Sequence, residues 1–484
     1  MRIAIVSPEA VPFAKTGGLA DVAGALPKEL ARAGHEVRLI VPKYKAVDTA
    51  KFGLVRTGGS ISVPIGDKIA WGEILTSSQD DFTAVFVQND EYFLRDGLYG
   101  NKNGDFPDNA SRFIFFSRAA LDCLRELEFE PDVIHVNDWQ SALIPLYLRS
   151  LYKHDPHFKK TATLLTIHNL GYQGLFWHLD MPLLGVGWDY FTPEGIEFWG
   201  KINFLKAGIV YADLINTVSA KYAQEITTPE FGFGLDGVLR TRRDKLSGIV
   251  NGIDTDIWNP ETDTFITKEY GLKTLGDKVE NKKTLLEEFY LPQRADTPLI
   301  GIISRLADQK GFDILAEAME EIMAMDLMMV VLGTGEARYH ELLTRLGKRY
   351  PTKLGVKLAF DPRISHLIEA GADMFLMPSR YEPCGLNQMM SMRYGTVPVV
   401  RDTGGLSDTV ADYREKTKAG TGVTFAEYDA RSLIAAVKRA VFLYGKKAHW
   451  RTMMKNGMAM DFSWRASAEK YERLYGEAIK EKIE

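Results

Sequence analysis

The chain has 484 residues, of which 45% are hydrophobic and 25% charged, with a formal net charge of −5. This is an ordinary globular composition, long enough for several domains. The mildly acidic balance gives no reason to expect nucleic acid or an anionic membrane as a partner. The two cysteines, Cys123 and Cys384, exclude a disulfide framework and argue against a cysteine-based zinc site. No apolar run approaches the ~20 residues of a membrane span. The chain opens on a strand pattern rather than on a secretory signal, so the cytoplasm is the expected compartment.

In chain order, "RIAIVS" reads as a first strand and "LADVAGALPKELARAG" as the helix after it. "HEVRLIVP", "TAVFVQ", "DVIHVN", "TATLLTIHN" and "DLINTVS" read as further strands, with helical patterns such as "ASRFIFFSRAALDCLREL" and "SALIPLYLRSLY" between several of them. The polar stretch 259–297 breaks this rhythm. Strand and helix patterns then resume at "PLIGIISR" and continue through "LMMVVLGTG", "GVKLAF", "ADMFLMPS" and "VPVVRD". Continuous apolar runs alternating with helices indicate α/β domains with largely parallel sheets. A domain junction is expected near 247–256. "WRASAEKYERLYGEAIKEKI" reads as a closing helix that could belong to either domain.

Ligands of such folds sit beyond the carboxyl ends of the strands, and the loops there carry the polar chemistry. Lys15, Thr16, Gly17 and Gly18 follow the first strand. Asn137-Asp138-Trp139 follows "VIHV", and His168-Asn169 ends "TLLTI". Ser304-Arg305 ends "LIGII", and Lys310-Gly311 opens the next helix. "SRYEPCGLNQ" follows "DMFLMP", and "DTGGLSD" follows "VPVV". Arg305 and Lys310 share one strand-to-helix connection, so both could reach a single diphosphate. A glycine-led helix start lets backbone N–H groups approach the same anion. Each feature taken singly has a plainer reading. A glycine pair is more often a turn, a lone histidine is more often structural, and Asp138 could be a helix cap. Their shared place at strand ends, in both halves, favours a site.

Other chemistries lack their signatures. There is no GxxxxGK[ST], and the one GxGxxG match, "GFGLDG" at 232–237, does not follow a strand. The nine histidines show no metal-ligand spacing, so neither a metal nor a cofactor is expected.

"KTGGLADV" together with "SRYEPCGLNQ" resembles the bacterial members of the ADP-glucose-dependent glycogen/starch synthase family. The resemblance extends through "IHVNDWQ", "TIHNLGYQG", "NFLKAGI", "INTVS", "TPEFGFGLDGVL", "VNGID", "ISRLADQKG", "VLGTGE" and "DTGGLSDTV", over nearly the whole chain. It implies the GT-B fold, with two Rossmann-like domains facing across a cleft. It places an acceptor-side domain at 1–247, a nucleotide-sugar domain at 248–460, and a closing helix at 461–484 that crosses back to the first domain. The implied activity is retaining transfer of glucose from ADP-glucose to the non-reducing 4-hydroxyl of an α-1,4-glucan such as glycogen.

By the same resemblance, Lys15 contacts the ADP-glucose, and Thr16, Gly17 and Gly18 lie over the diphosphate. Arg305 and Lys310 bind the phosphates and assist the leaving group. Asp138 and His168 lie at the glucosyl moiety, and Asn251 contacts the sugar. Glu382 holds glucose hydroxyls, with Cys384, Gly385, Leu386 and Asn387 following as sugar and phosphate contacts. Glu9, Asp21 and Trp139 are acceptor-side candidates. Phe360 stands where the family often has a tyrosine stacked on adenine, and Asn387 stands where threonine is common. Three alternatives are weighed against this reading. One is the same reaction with UDP-glucose. Another is a nicotinamide-dependent or sugar-nucleotide-isomerising enzyme on two Rossmann domains. The third is a non-catalytic glucan-binding protein.

Overall fold

The computed structural model describes residues 1–79 and 81–483. They form two compact units, and the chain passes from the first to the second between Ile249 and Val250. The first unit also takes the closing segment from Trp464 onward, and the second also takes Ser219–Tyr222.

The first unit is built on a nine-stranded sheet. Its parallel strands run, in spatial order, Leu246–Gly248, Leu214–Thr217, Ala162–Ile167, Val133–Asn137, Arg2–Val6, Glu36–Pro42 and Thr83–Gln88. The register is fixed by pairs such as Ile3 with Val37 on one side and Ile3 with Val133 on the other. From Arg2–Val6 the chain first builds outward to one side and later returns to build the other. The order therefore reverses between Arg2–Val6 and Val133–Asn137, which is where an open α/β sheet leaves a crevice for ligands.

Two antiparallel strands, Lys68–Ser78 and Val55–Ile65, complete this sheet and were not expected from the sequence. In the outer strand, Ile61, Val63 and Ile65 are buried while their neighbours face outward. Such alternation marks a half-covered antiparallel edge rather than a buried parallel strand. The irregularity between Arg56 and Ser60, at Gly58-Gly59, obscures the pattern in the sequence.

The closing helix, Trp464–Ile483, packs on the helix Gly18–Arg32 and on the strands Val133–Asn137 and Ala162–Ile167. Polar contacts fix its rotation. The Tyr475 hydroxyl lies 2.9 Å from His135 Nδ1, and the Asn216 amide donates to the Tyr471 hydroxyl at 3.2 Å. His135 Nε2 meets Thr166 Oγ1 at 2.7 Å. Burial lowers His135 to about 3, so the ring inside this network is neutral.

The second unit holds a six-stranded parallel sheet in the order Leu354–Lys357, Met328–Leu332, Leu299–Ile303, Met374–Met377, Val397–Arg401 and Val423–Phe425. Successive strand residues face opposite sides. Ile300, Ile302, Met329 and Val331 enter one core, while Leu299, Met328, Val330 and Phe375 enter the other. Covering both faces is why these strands read as uninterrupted apolar runs. Here the order reverses between Leu299–Ile303 and Met374–Met377.

The polar stretch 259–297 belongs to this unit and contains the helix Lys278–Glu288, packed on Pro362–Gly371. Two of its three lysines, Lys278 and Lys282, point inward. Lys278 Nζ donates to the carbonyls of Glu369 (3.1 Å) and Ala370 (2.6 Å) and to Thr396 Oγ1 (2.7 Å). Lys282 Nζ reaches Asp373 at 2.6 Å. Buried ammonium groups persist only when so partnered.

Candidate active-site residues

In the first unit the loops after Arg2–Val6, Val133–Asn137 and Ala162–Ile167 carry the expected residues. Glu9 is buried, and its carboxylate accepts from both the backbone N–H and the hydroxyl of Thr16 and from the Gly17 N–H. Gly17 precedes the helix that starts at Gly18. The carboxylate therefore sits at the positive end of a fifteen-residue helix. Burial still raises its pKa, and the Asp21 charge adds to the rise. Lys15 leaves this loop and pairs with Asp21 at 2.7 Å. Its ammonium is half exposed, so it can exchange that partner for an incoming anion.

Asp138 takes a left-handed backbone conformation (φ 53°) at the end of its strand. That conformation turns its carboxylate toward the next loop, where it accepts from the backbone N–H of His168 at 2.7 Å and of Asn169. Burial, with a smaller contribution from Glu9, pushes it up to about 7. His168 Nε2 lies 2.9 Å from Asn137 Oδ1, and the Asn137 amide donates to the Val6 carbonyl. That amide orientation makes Oδ1 the acceptor, puts the ring proton on Nε2 and leaves Nδ1 bare. Burial lowers His168 to about 3, so it is a neutral ring. Trp139 packs edge-on to Phe113 and against Phe176 and Phe204, with little surface left exposed. It forms the support of the loop.

In the second unit, the loop after Leu299–Ile303 and the loop after Met374–Met377 meet. Lys310 Nζ lies 2.6 Å from Glu382 Oε2, to which the Ser379 hydroxyl donates at 3.0 Å. Arg305 is exposed and donates to Gln309 at 3.0 Å, which holds it on the same short connection. Gly311 is left-handed (φ 78°), and a Cβ there would lie 2.0 Å from the Pro378 carbonyl. Glycine is therefore required for the two loops to close together. Gly405 does the same in the next loop, after Val397–Arg401. Its N–H donates to the Glu382 carbonyl at 3.0 Å, and a Cβ would lie 2.0 Å from the Cys384 carbonyl.

Cys384 is buried, and burial pushes its thiol up to about 12 even though the Asn251 N–H points at it. It is a packing and hydrogen-bonding group, not a nucleophile. Asn251 is buried beside it, and its Oδ1 has no hydrogen-bond partner. Asn387 opens the helix Asn387–Arg393 and donates to the Ile303 carbonyl at 2.9 Å. Gly385 (φ 72°) and Leu386 lie between them. Phe360 stands 83% exposed just beyond Leu354–Lys357, with its ring faces open.

Three polar residues that hold these groups were given no role from the sequence. Asn137 orients His168, and Ser379 fixes Glu382. Gln388, fully buried, donates to the carbonyls of Cys384 and Gly385 and to Thr409. All three lie inside motifs quoted above, but only the folded contacts reveal what they do.

The fold defines a glycosyltransferase of the GT-B class. The model of the starch synthase catalytic domain matches residues 2–241, and that of glycosyl transferases group 1 matches residues 287–456. The chain is 46% identical to a glycogen synthase of Syntrophotalea carbinolica over 99% of both chains. It is 48% identical to one from Koribacter versatilis, over 99% of this chain and 98% of that one. The solved catalytic domain of starch synthase IV from Arabidopsis thaliana, bound to ADP and acarbose, superposes with a TM-score of 0.90. It is 32% identical and covers 99% of each chain. A sucrose-phosphate synthase from Thermosynechococcus elongatus, 17% identical with a TM-score of 0.62 and 99% coverage of each chain, shares the fold. The chain belongs to the glycogen synthase family, as its motifs implied. It is an enzyme that takes a nucleotide-sugar donor and a glucan acceptor.

Proposed function

We propose that the enzyme transfers glucose from ADP-glucose to the 4-hydroxyl at the non-reducing end of an α-1,4-glucan, with retention at the anomeric carbon and release of ADP, in the cytoplasm. The observation that carries this reading is the Lys310–Glu382 pair, with Arg305 on the same strand-to-helix connection as Lys310, at the strand-order reversal of the second sheet. A cation pair there suits a diphosphate. The ADP bound to the solved starch synthase relative supports an adenine nucleotide. The unpaired, buried thiols of Cys123 and Cys384 suit a reducing compartment.

In this reading Arg305 and Lys310 take the diphosphate as the bond from the anomeric carbon to its oxygen breaks. Negative charge grows on that oxygen, and fixed cations away from bulk water stabilise it. Asn387 and the N–H groups after Gly385 add donors, and Phe360 offers its face to adenine. Glu382, steadied by Lys310 and Ser379, accepts hydroxyl hydrogens from the glucose. His168, being neutral, lies against the oxocarbenium-like centre without adding positive charge. Its bare Nδ1 accepts from a sugar hydroxyl. Asp138 and Lys15 complete the donor side, with Thr16, Gly17 and Gly18 over the phosphates and Asn251 at the sugar. Glu9, Asp21 and Trp139 shape the acceptor side. The acceptor O4 attacks on the face from which the diphosphate leaves, and its proton passes to the departing phosphate oxygen. Positioning and charge stabilisation supply the rate.

Parallel kcat/KM measurements with ADP-glucose and UDP-glucose, using glycogen as acceptor, test the donor assignment. A clear preference for ADP-glucose is expected, and a preference for UDP-glucose would overturn it.

A further inference from the structure

Lys310 ends a single 3₁₀ turn, Asp308–Lys310, set between extended Ala307 and left-handed Gly311. Its own backbone bonds are Lys310 N–H to the Ala307 carbonyl at 3.0 Å and Gly311 N–H to the Asp308 carbonyl at 2.9 Å. So short a piece of this helix type is weak by itself. The groups packed against the turn therefore decide where the Lys310 ammonium lies.

Tyr428 is one of them. It follows the strand Val423–Phe425 and precedes Asp429, which caps the helix Ala430–Gly445. Its half-buried ring packs on the core of the second unit. Its hydroxyl donates to the carboxylate of Asp313, in the first turn of the helix Phe312–Ala324, and lies 3.2 Å from the Asp308 carbonyl. Two guanidinium groups lie over the same ring, Arg380 Cζ at 4.8 Å and Arg401 Cζ at 5.4 Å from its centroid. Arg380 also donates to Asp313 at 3.0 Å. Arg401 donates to the carbonyl of Arg380 and, at 3.0 Å, to that of Ala426.

These contacts join the two loops that meet at the Lys310–Glu382 pair. The Arg380 N–H donates to the Gln309 carbonyl at 2.9 Å, next to Lys310, and Arg380 stands two positions before Glu382. The turn that carries Lys310 and the loop that carries Glu382 are thus tied to one phenol. Stability alone gives little reason for this. The Arg380 side chain keeps half its surface in solvent, and exposed ion pairs contribute little. Placement is different, because a displacement of about 1 Å at a reacting group costs about a hundredfold in rate.

We propose that Tyr428 and Arg380 are positioning residues for glucosyl transfer. They lock the turn Asp308–Lys310 to the loop 379–382 and so hold the Lys310 ammonium at the departing phosphate oxygen. They act through Lys310 and not on the substrate, and the proposal rests on the reading that Lys310 stabilises that oxygen.

Tyr428→Phe keeps the ring under both guanidinium groups and removes the hydroxyl. Arg380→Lys keeps the charge and removes the planar fork that joins the ring to Asp313. Each is made in the full-length parent and in Lys310→Ala, and assayed with ADP-glucose and glycogen well below the lowest melting midpoint of the set, so that unfolding does not enter the rates. In the parent each should lower kcat about tenfold and change the KM for ADP-glucose by less than about twofold, as when an interaction made only in the transition state is weakened. In Lys310→Ala neither should lower kcat further, because the group they position is gone. If one variant does not fold, the other decides. The same loss of kcat in both backgrounds is what a purely structural contact gives, and it would overturn the proposal. Parent-like kcat in the folded variants, where Lys310→Ala is impaired, would also overturn it and leave the function standing. Parent-like kcat in Lys310→Ala itself would overturn the role of Lys310 in the functional reading and the proposal with it.

Discussion

Asn137 sets the state of His168: its Oδ1 accepts from His168 Nε2 at 2.9 Å while its amide is spent on the Val6 carbonyl at 3.2 Å. The buried surroundings keep the ring uncharged, and the neutral amide puts no negative charge beside it. Asn137→Asp puts a carboxylate at the same place, which raises the pKa of the imidazole toward neutrality. The variant's kcat/KM should then fall about tenfold or more between pH 8 and pH 6, because each pH unit below the new pKa removes about ninety per cent of the neutral form. The parent should show no such acid limb from this residue. A variant that folds and keeps the parent's pH profile would show that the charge state of His168 is immaterial.

Lys310 and Glu382 separate a structural ion pair from a catalytic one. Lys310→Ala should lower kcat by about two orders of magnitude, as does removing a donor aimed at developing charge. It also leaves the Glu382 carboxylate, only 7% exposed, without its cation, so the melting midpoint should drop. Adding Glu382→Gln should restore the midpoint and leave kcat low. If kcat recovers with stability, the pair is structural. Arg305→Ala, which breaks only an exposed contact with Gln309, should lower kcat comparably with no change in melting.

Asp138 gives a pH signature in stability. Its carboxyl is pushed from 3.8 up to about 7, so ionising it costs the folded state. The stabilisation it contributes is complete below pH 3.8 and is lost as pH rises through about 7. Asp138→Asn removes that dependence and still accepts from the His168 N–H. The melting midpoint of the variant minus that of the parent should therefore grow from pH 4 to pH 8, as measured by thermal scans at matched salt. A difference that stays flat would contradict the burial of that charge. His135 and His168, both lowered to about 3, act with the opposite sign in both proteins and cancel in the difference.

The closing helix is held by buried hydroxyls. Tyr475→Phe strands His135 Nδ1, which has no other partner among the described residues. The cost should be about 1–3 kcal/mol in a denaturation experiment, as expected for one buried unsatisfied polar group. A cost below about 0.3 kcal/mol would mean that the ring nitrogen finds water instead.

The parallel strands were legible because burial on both faces writes an unbroken apolar run, as in "LMMVVLGTG" and "ADMFLMPS". The hairpin Val55–Ile65 and Lys68–Ser78 was not, because its outer face is solvated and Gly58-Gly59 interrupts its alternation. The helix Lys278–Glu288 was hidden for the converse reason. Lys278 and Lys282 read as surface charges, but carbonyl oxygens and Asp373 gather around their ammonium groups inside the fold. At the site, residue type and loop position identified Lys15, Arg305 and Lys310 as candidates. The separation of 72 positions between Lys310 and Glu382 kept their pairing out of reach of spacing alone. The work of Asn137 and Gln388 depends on hydrogen-bond direction, which no one-dimensional pattern carries.

The transfer itself is tested most directly by supplying the full-length enzyme with ADP-[14C]glucose and glycogen. The labelled polymer is then digested with an exo-acting hydrolase specific for α-1,4-linked chain ends. Time-dependent label should appear in the precipitated glucan, all of it released by the hydrolase, and incorporation should fall about a hundredfold in Lys310→Ala. Label that stays as free glucose, that resists the α-specific hydrolase, or that enters glycogen equally well with Lys310→Ala would contradict retaining transfer driven by the Lys310 cation.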